Sequence, residues 1–392
     1  LKIPILQAEI QDFINKQIGK SIARLAFQKN QFPDVEWISI LNQIEAKSKA
    51  KDKLPTWFNT NSIIYPSKIS VEQTSSEKTA AYKTSLLSGN SIIDLTGGFG
   101  VDDYFFSTIF KTVIHCELDA SLSEIVAHNF EQMNASNIKC YAGDSTHILE
   151  ELKQYFDWIY IDPSRRNDAK GKVFMLTDCL PNVPENLDSY FKYSNCILLK
   201  TAPLLDIAAG LDELKNVKNI HIVALENEVK EVLWEIHHDY TDVITIKTVN
   251  ISKEKNQTFE YVLNTNNEFA TYHLPQKYLY EANSAIMKSG GFESVSSQFK
   301  INKLHKHSHL YTSEEAIEFP GRRFEIQNAI PYNKTEMKLH LSNKKANITT
   351  RNFPDTVEII RKKWKIKDGG TSYCFFTTDV NDNKIVLICT KL

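Results

Sequence analysis

The chain predicts an α/β protein: a mostly parallel, seven-stranded, doubly wound sheet, an N-terminal helical lobe before it and small α+β modules after it. Three observations carry this. Short apolar runs alternate with amphipathic stretches from Ser91 to about Leu263, the pattern of parallel strands with helices on both faces. The first run, Ser91-Ile-Ile-Asp94, opens directly into a turn containing Gly97, Gly98 and Gly100, where the backbone can approach a ligand closely. Both flanks of this region lack the alternation.

Residues 1 to about 60 are helical by period. Ile10, Phe13, Ile14, Ile18, Ile22 and Leu25 recur three and four residues apart, and a second amphipathic stretch runs from about Val35 to Ala46. Prolines and polar residues interrupt the pattern between Leu54 and Ser70. In the following Val71-Glu-Gln-Thr-Ser-Ser-Glu-Lys-Thr-Ala-Ala-Tyr-Lys83, Ser75 or Ser76 can cap a helix reaching about Leu87. The same hydroxyls and amides also suit the lining of a cleft.

Then come the strands: Ile92 to Asp94, Thr112 to Glu117, Ile138 to Tyr141, Asp157 to Asp162, Cys196 to Lys200, Asn219 to Leu225 and one within Thr258 to Leu263. Helices are expected at Tyr104 to Phe110, Leu122 to Met133 and Ile148 to Tyr155. Glu226-Asn-Glu-Val-Lys-Glu231 reads better as a charged helix start than as a contributor to a site. Past Tyr272 the character changes. Domain boundaries are therefore expected at 1–74 (helical lobe), 75–272 (α/β core), 273–320 (small α+β, of ferredoxin-like type) and 321–392 (basic α+β, with one basic helix near Thr356 to Lys367).

The 392 residues are too many for one core, and 42% hydrophobic with 24% charged residues is the composition of a globular protein. A net charge of −2 hides an asymmetry. From Lys300 onward there are 17 Lys and Arg against 10 Asp and Glu, while the remainder carries 29 against 38. The basic end is either a nucleic-acid surface or a solvated lysine-rich face. Six scattered cysteines without a Cys-x-x-Cys pair fit a reducing compartment and argue against a zinc site or a disulfide framework. No run is long enough to span a bilayer and no signal-peptide pattern opens the chain. A cytoplasmic protein with no membrane and no metal is expected.

Two cofactor classes use a strand, a glycine turn and an acid at the end of the second strand. A dinucleotide fingerprint wants a small residue three positions past Gly100, where Asp103 stands. Four acids, Asp94, Glu117, Asp144 and Asp162, close four successive strands. On these residues the chain, over about 75 to 265, resembles the class I S-adenosylmethionine-dependent methyltransferases, which are Rossmann-like. The resemblance implies S-adenosyl-L-methionine as cofactor. Its methionine part would pass the loop of Asp94, Thr96, Gly97, Gly98 and Gly100, with Glu117 and Leu118 at the ribose and Asp144 and Ser145 near the adenine. Thr96 departs from the glycine that many members carry.

Asp162-Pro163-Ser164-Arg165-Arg166 occupies the place of that family's catalytic motif IV and is similar to the Asp-Pro-Pro-aromatic signature of base-amine methyltransferases. There the resemblance implies that Asp162 and the Pro163 carbonyl take the hydrogens of an amine, while Ser164 and Arg165 depart from the pattern. An Arg plane can stack on a base or pair with phosphate. Uracil-C5 enzymes carry Asp-Pro-Pro-Arg here but need a nucleophilic cysteine past the fifth strand; this chain has Lys200-Thr-Ala-Pro203 there. Lys200 is either a cation at the cleft edge or simply the end of a strand. His305, His307 and His309 alternate and would share one face of a strand; phosphate contact suits them better than metal.

The layout also resembles bacterial methyltransferases with a THUMP-like C-terminal domain. Supporting stretches are Glu72-Gln73-Thr-Ser-Ser-Glu77, the Asp94 loop, Asp162 to Arg166 and Glu281-Ala-Asn-Ser-Ala-Ile286. That resemblance implies a tRNA or rRNA substrate modified at a base nitrogen. Gln73, Arg165, Arg166, Lys200, Arg322, Arg323, Arg351 and Arg361 are the candidates to touch it. A small-molecule or protein methyltransferase, and an RNA-binding protein that retains the cofactor site without catalysis, are the alternatives.

Overall fold

The computed structural model describes residues 4–165, 175–264 and 269–392. The chain forms two compact units. The first is Leu1–Lys218 with Leu233–Thr241, the second Asn219–Val232 with Asp242–Leu392.

In the first unit the lobe is built on α1 (Ala8–Gln17) and α2 (Trp37–Lys53), with single turns between and after them. The apolar positions read from the period meet as expected: Ile10, Ile14, Leu25, Ile40 and Ile44 form one cluster. The interval from Leu54 to Ser70 is more regular than its prolines suggest, with short helices at Pro55–Asn59 and Lys68–Gln73. Pro55 stands at the start of its helix, where a missing N–H costs nothing. The lobe is more than a spacer. Ala46, Ala50, Trp57 and Tyr65 pack with Phe99, Val101 and Val126, so the lobe supports the glycine loop from behind.

Helix α3 (Glu77–Ser85) starts where the hydroxyls predicted. Ser76 accepts the Thr79 N–H while the Thr79 side chain accepts the Ser76 N–H, a reciprocal cap. The sheet follows. Its strands are β1 (Ser91–Asp94), β2 (Thr112–Glu117), β3 (Ile138–Ala142), β4 (Trp158–Ile161) and β5 (Cys196–Thr201). They are parallel in the order β5-β4-β1-β2-β3. The chain order reverses between β1 and β4, and a doubly wound sheet opens its crevice at that reversal. The connecting helices are α4 (Val101–Ser107), α5 (Ala120–Gln132) and α6 (Ser145–Leu152). Each starts a few residues before its expected position, because the acid or glycine at the preceding strand end already serves as the N-cap. Helices α7 (Val183–Tyr190) and α8 (Ile207–Glu213) flank β5 in sequence.

One expectation fails here. Glu226-Asn-Glu-Val-Lys-Glu231 does not start a helix. Glu226 and Asn227 lie in the left-handed region at φ 49° and 64°, forming a two-residue hairpin loop. The loop joins β6 (Val217–Leu225) to β7 (Glu228–His237). A further strand, β8 (Thr245–Ile251), pairs parallel with β6 and antiparallel with β9 (Gln257–Val262). Nine labelled strands thus lie between Ser91 and Val262 where seven are expected.

The rest of the second unit holds β10 (Tyr278–Ala282), α9 (Ser284–Ser289), α10 (Phe292–Phe299), β11 (Leu310–Ser313), β12 (Gly321–Pro331), α11 (Lys334–His340), β13 (Asn347–Thr350), α12 (Val357–Trp364), β14 (Ser372–Thr378) and β15 (Lys384–Lys391). One sheet in the order β11-β10-β12-β15-β14-β13, with a two-residue strand at the β11 edge, runs through this whole segment. Apolar clusters in it are centred on Leu279, Phe324 and Phe375 and on Ile360, Phe376 and Val386.

Candidate functional site

Asp94 ends β1 and is 2% exposed. Its carboxylate accepts the Thr96 N–H at 2.7 Å and the Thr96 hydroxyl at 3.1 Å. The same Thr96 Oγ1 accepts the Asp162 N–H at 2.7 Å. The residue that departs from the family's glycine therefore ties the β1 loop to the end of β4, joining the two sides of the crevice. Gly97 follows with its N–H on the Cys116 carbonyl at 2.8 Å. Gly98, at φ 54°, donates to Glu117 Oε2 at 2.9 Å.

Glu117 also accepts the Asp119 N–H through Oε1 at 2.8 Å. An ionised carboxylate has about four acceptor positions, so this one is oriented and keeps capacity for a ligand's hydroxyls. Leu118 beside it is 74% exposed. Asp144, at the end of β3, is exposed and caps α6 by accepting the Thr146 and His147 N–H groups, with Ser145 as the first helical residue.

At the end of β4, the Asp162 carboxylate is ion-paired through Oδ2 with Lys200, from β5. Lys200 therefore does more than close a strand. Pro163 is half-buried, and Ser164–Arg165 pair antiparallel with Cys179–Leu180. Arg166 lies outside the described residues. Gln73 is exposed, two residues before Ser75.

Beneath the loop lies a set of buried polar groups that residue spacing did not reveal. Lys83 of α3 pairs with Asp102 at 3.1 Å and donates to Ser75 Oγ at 3.0 Å. The other Asp102 oxygen accepts from Ser75 Oγ and Tyr160 OH, both at 2.8 Å. The Ser75 hydroxyl thus turns inward while its neighbour Ser76 caps the helix. Asp103, whose bulk argued against a dinucleotide loop, is fully buried with Oδ2 2.7 Å from His115 Nδ1. Burial raises the Asp103 carboxyl well above its usual range, and Asp102 adds to this. Burial likewise raises Asp94, with Asp103 adding to it, and lowers His115. These directions favour a neutral acid and a neutral imidazole sharing one proton. A signal existed in two acids opening the helix after a glycine loop, but their partners are distant in sequence.

Gly97 is required by this arrangement. A Cβ there would stand 2.1 Å from His115 Cε1 and 2.2 Å from Nδ1. Gly97→Ala is expected to lower stability by about 2 kcal/mol or more, the scale of overpacking a buried site. Thermal unfolding checks this, and an unchanged midpoint would mean that the His115 ring can move aside.

The basic candidates of the second unit are engaged within the chain. Glu281, buried on β10, receives Arg322 Nε at 2.7 Å on Oε2 and Arg351 Nη2 at 2.8 Å on Oε1. Arg323 pairs with Glu318, and Arg361 with Asp368. The histidines do not share a strand face. They lie in the turn before β11, whose Ser308 hydroxyl is tied to the Thr378 carbonyl at 3.0 Å. His305 bridges Asp382 and Asn352, both at 3.0 Å. His309 stacks on Phe292 with centroids 3.6 Å apart, and burial, aided by Lys303, holds it down to about 4. Among the described residues no group of His, Cys, Asp and Glu is arranged to hold a metal ion, and no helix is long and apolar enough to cross a membrane.

Comparison with known proteins agrees with this architecture. Residues 278–320 match a ferredoxin-like domain family and residues 321–391 a THUMP domain-like family. A crystal structure of an inferred methyltransferase from Porphyromonas gingivalis W83 superposes with a TM-score of 0.88 at 28% identity, covering 100% of this chain and 98% of that one. This chain has the class I methyltransferase fold, extended by ferredoxin-like and THUMP-like domains. Two further structures share much less of this methyltransferase-fold chain. An inferred RNA methyltransferase from Pyrococcus horikoshii has TM-score 0.28 and 19% identity over 39% of this chain and 74% of that one. An inferred Streptococcus mutans methyltransferase in complex with SAH has 0.29 and 12% over 40% and 96%. No curated protein matches the chain.

Proposed function

We propose that this protein is an S-adenosyl-L-methionine-dependent methyltransferase that modifies a base nitrogen of a structured RNA, a tRNA or an rRNA. The observation that carries the cofactor half is the set of strand ends flanking the β1–β4 reversal. Asp94 shapes the loop through Thr96, Glu117 is oriented with acceptor capacity left, Leu118 offers an exposed apolar surface, and the Asp162–Lys200 pair stands at the end of β4. Glu117 and Leu118 would hold the cofactor's ribose, with Asp144 and Ser145 near its adenine. When bound, the cofactor supplies an activated methyl on a sulfonium.

The remaining task belongs to the chain and is mostly positioning. Asp162 and the Pro163 carbonyl accept hydrogens from the target nitrogen and so aim its lone pair at the methyl; the methylated nitrogen then loses a proton to Asp162 or to water. The RNA half is supported by the THUMP domain-like match and by the basic excess from Lys300 onward. Because Arg322 and Arg351 share the buried Glu281, their guanidinium planes are fixed in place, and they present charge to phosphates without first being ordered.

Transfer of labelled methyl from the cofactor to total RNA tests this reading. Wild-type protein is expected to label RNA, with binding that weakens steeply as salt rises. Cofactor binding with unlabelled RNA and no RNA affinity at low salt would leave a small-molecule or protein methyltransferase. RNA affinity without label would leave a binding protein that has lost catalysis.

A further inference from the structure

At the amino end of β5, far from the cofactor crevice, three side chains form a relay. Cys196 Sγ lies 3.7 Å from His237 Nδ1, within hydrogen-bond reach for sulfur, and His237 Nε2 lies 2.7 Å from Glu235 Oε1. Both partners come from β7, two residues apart and so on one face of the strand. Lys218 Nζ is 3.8 Å from the same Glu235 oxygen, and the Trp158 ring meets the His237 ring edge-on with centroids 5.7 Å apart. Outside this group, the neighbouring His238 Nδ1 lies 3.2 Å from Asp239 Oδ2, both side chains exposed to solvent.

We propose that Cys196 is a reactive thiol, activated by His237 and Glu235, that is oxidised by hydroperoxides to a sulfenic acid. A thiolate beside an imidazolium that a carboxylate orients is the arrangement that activates cysteine. The hydrogen bonds to Cys196 and Glu235 raise His237 to about 9, which keeps the ring cationic at neutral pH. Cys196 and Cys140 are both half-buried. Cys116, Cys179, Cys374 and Cys389 are buried, and burial pushes the half-buried Cys140 thiol up to about 12.

The step balances. The sulfur lone pair attacks the terminal peroxide oxygen, an S–O bond forms as the O–O bond breaks, and the sulfur loses two electrons to the peroxide. The departing hydroxide, or alkoxide, takes the proton of His237 and leaves as water or alcohol. Lys200 stands four residues along β5, roughly 13 Å at the usual rise of a strand, so oxidation here does not touch the methyl-transfer wall directly.

The test uses the full chain exposed to hydrogen peroxide, with sulfenic acid trapped by dimedone and mapped by peptide mass spectrometry. Iodoacetamide labelling runs in parallel. In folded protein Cys196 is expected to react about tenfold faster than Cys140, and in urea the two should react alike. His237→Gln and Glu235→Gln should each slow Cys196 while leaving Cys140 unchanged, which also reports an intact fold. If either variant fails to fold, the wild-type ratio between native and urea conditions decides. Labelling of Cys196 no faster than Cys140, or at a rate indifferent to His237→Gln, would overturn the proposal.

Discussion

Replacing Lys83 by methionine will lower the unfolding free energy of the first unit by about 3–5 kcal/mol, the usual penalty for stripping a buried charge of its partner. Lys83 is fully buried, 3.1 Å from Asp102. Methionine fills similar space but leaves the Asp102 carboxylate supported by the Ser75 and Tyr160 hydroxyls alone. The double variant Lys83→Met/Asp102→Asn removes the orphaned charge and should recover a large part of the loss, because a buried ion pair replaced as a whole is far less missed than one broken in half. Urea unfolding of the three variants, at constant slope, measures both effects. A loss below about 1 kcal/mol for Lys83→Met would show that water reaches Asp102 and solvates it.

The same network explains how the crevice is held open. Lys83 belongs to α3, Asp102 to the first turn of α4 directly after the glycine loop, and Tyr160 to β4 two residues before Asp162. One buried carboxylate thus links the loop to the strand that ends at Asp162. The lobe contributes from the other side, where the Trp57 and Tyr65 rings lie 6.1 and 6.2 Å from that of Phe99, centroid to centroid. A helical lobe without a catalytic feature in its sequence is therefore part of what shapes the loop.

The sheet was legible because its signals are local. Apolar runs such as Thr112 to Glu117 and Cys196 to Lys200 end on charged residues, and a strand buried on both faces has no other way to read. The hairpin at Glu226 was not legible for an equally local reason. Glutamate rarely takes the left-handed conformation that a two-residue turn demands, and the charges around Val229 masked the apolar content of Val232, Leu233, Trp234 and Ile236. The histidines misled in the opposite direction. Alternate spacing suggested a strand, yet the segment is a turn tethered through Ser308. What spacing could not show is pairing at long range: Lys83 with Asp102, Asp103 with His115, Lys200 with Asp162 and Glu281 with two arginines are separated by 12 to 70 positions. Sequence names such residues but not their partners.

On the proposed reading, the largest catalytic effect lies at the end of β4. Asp162→Asn is expected to lower methyl transfer about 1,000-fold, within the range for removing a positioned proton acceptor, while the fold and cofactor affinity change little. Lys200→Met should lower it about 100-fold. The Lys200 ammonium holds Asp162 Oδ2, so the carboxylate is held in one orientation, and on this reading the other oxygen meets a substrate N–H. A lysine that merely bound phosphate would behave differently: its loss would raise KM for RNA and reduce the salt slope while kcat stayed near wild type. A fall in kcat at constant KM is the signature of a positioning role, since only an interaction made in the transition state affects kcat and kcat/KM equally. Single-turnover transfer at saturating cofactor, with wild type, both single variants and the Asp162→Asn/Lys200→Met pair, separates the cases. If the two residues act as one unit, the pair will be no slower than Asp162→Asn alone; additive losses would mean that Lys200 works elsewhere.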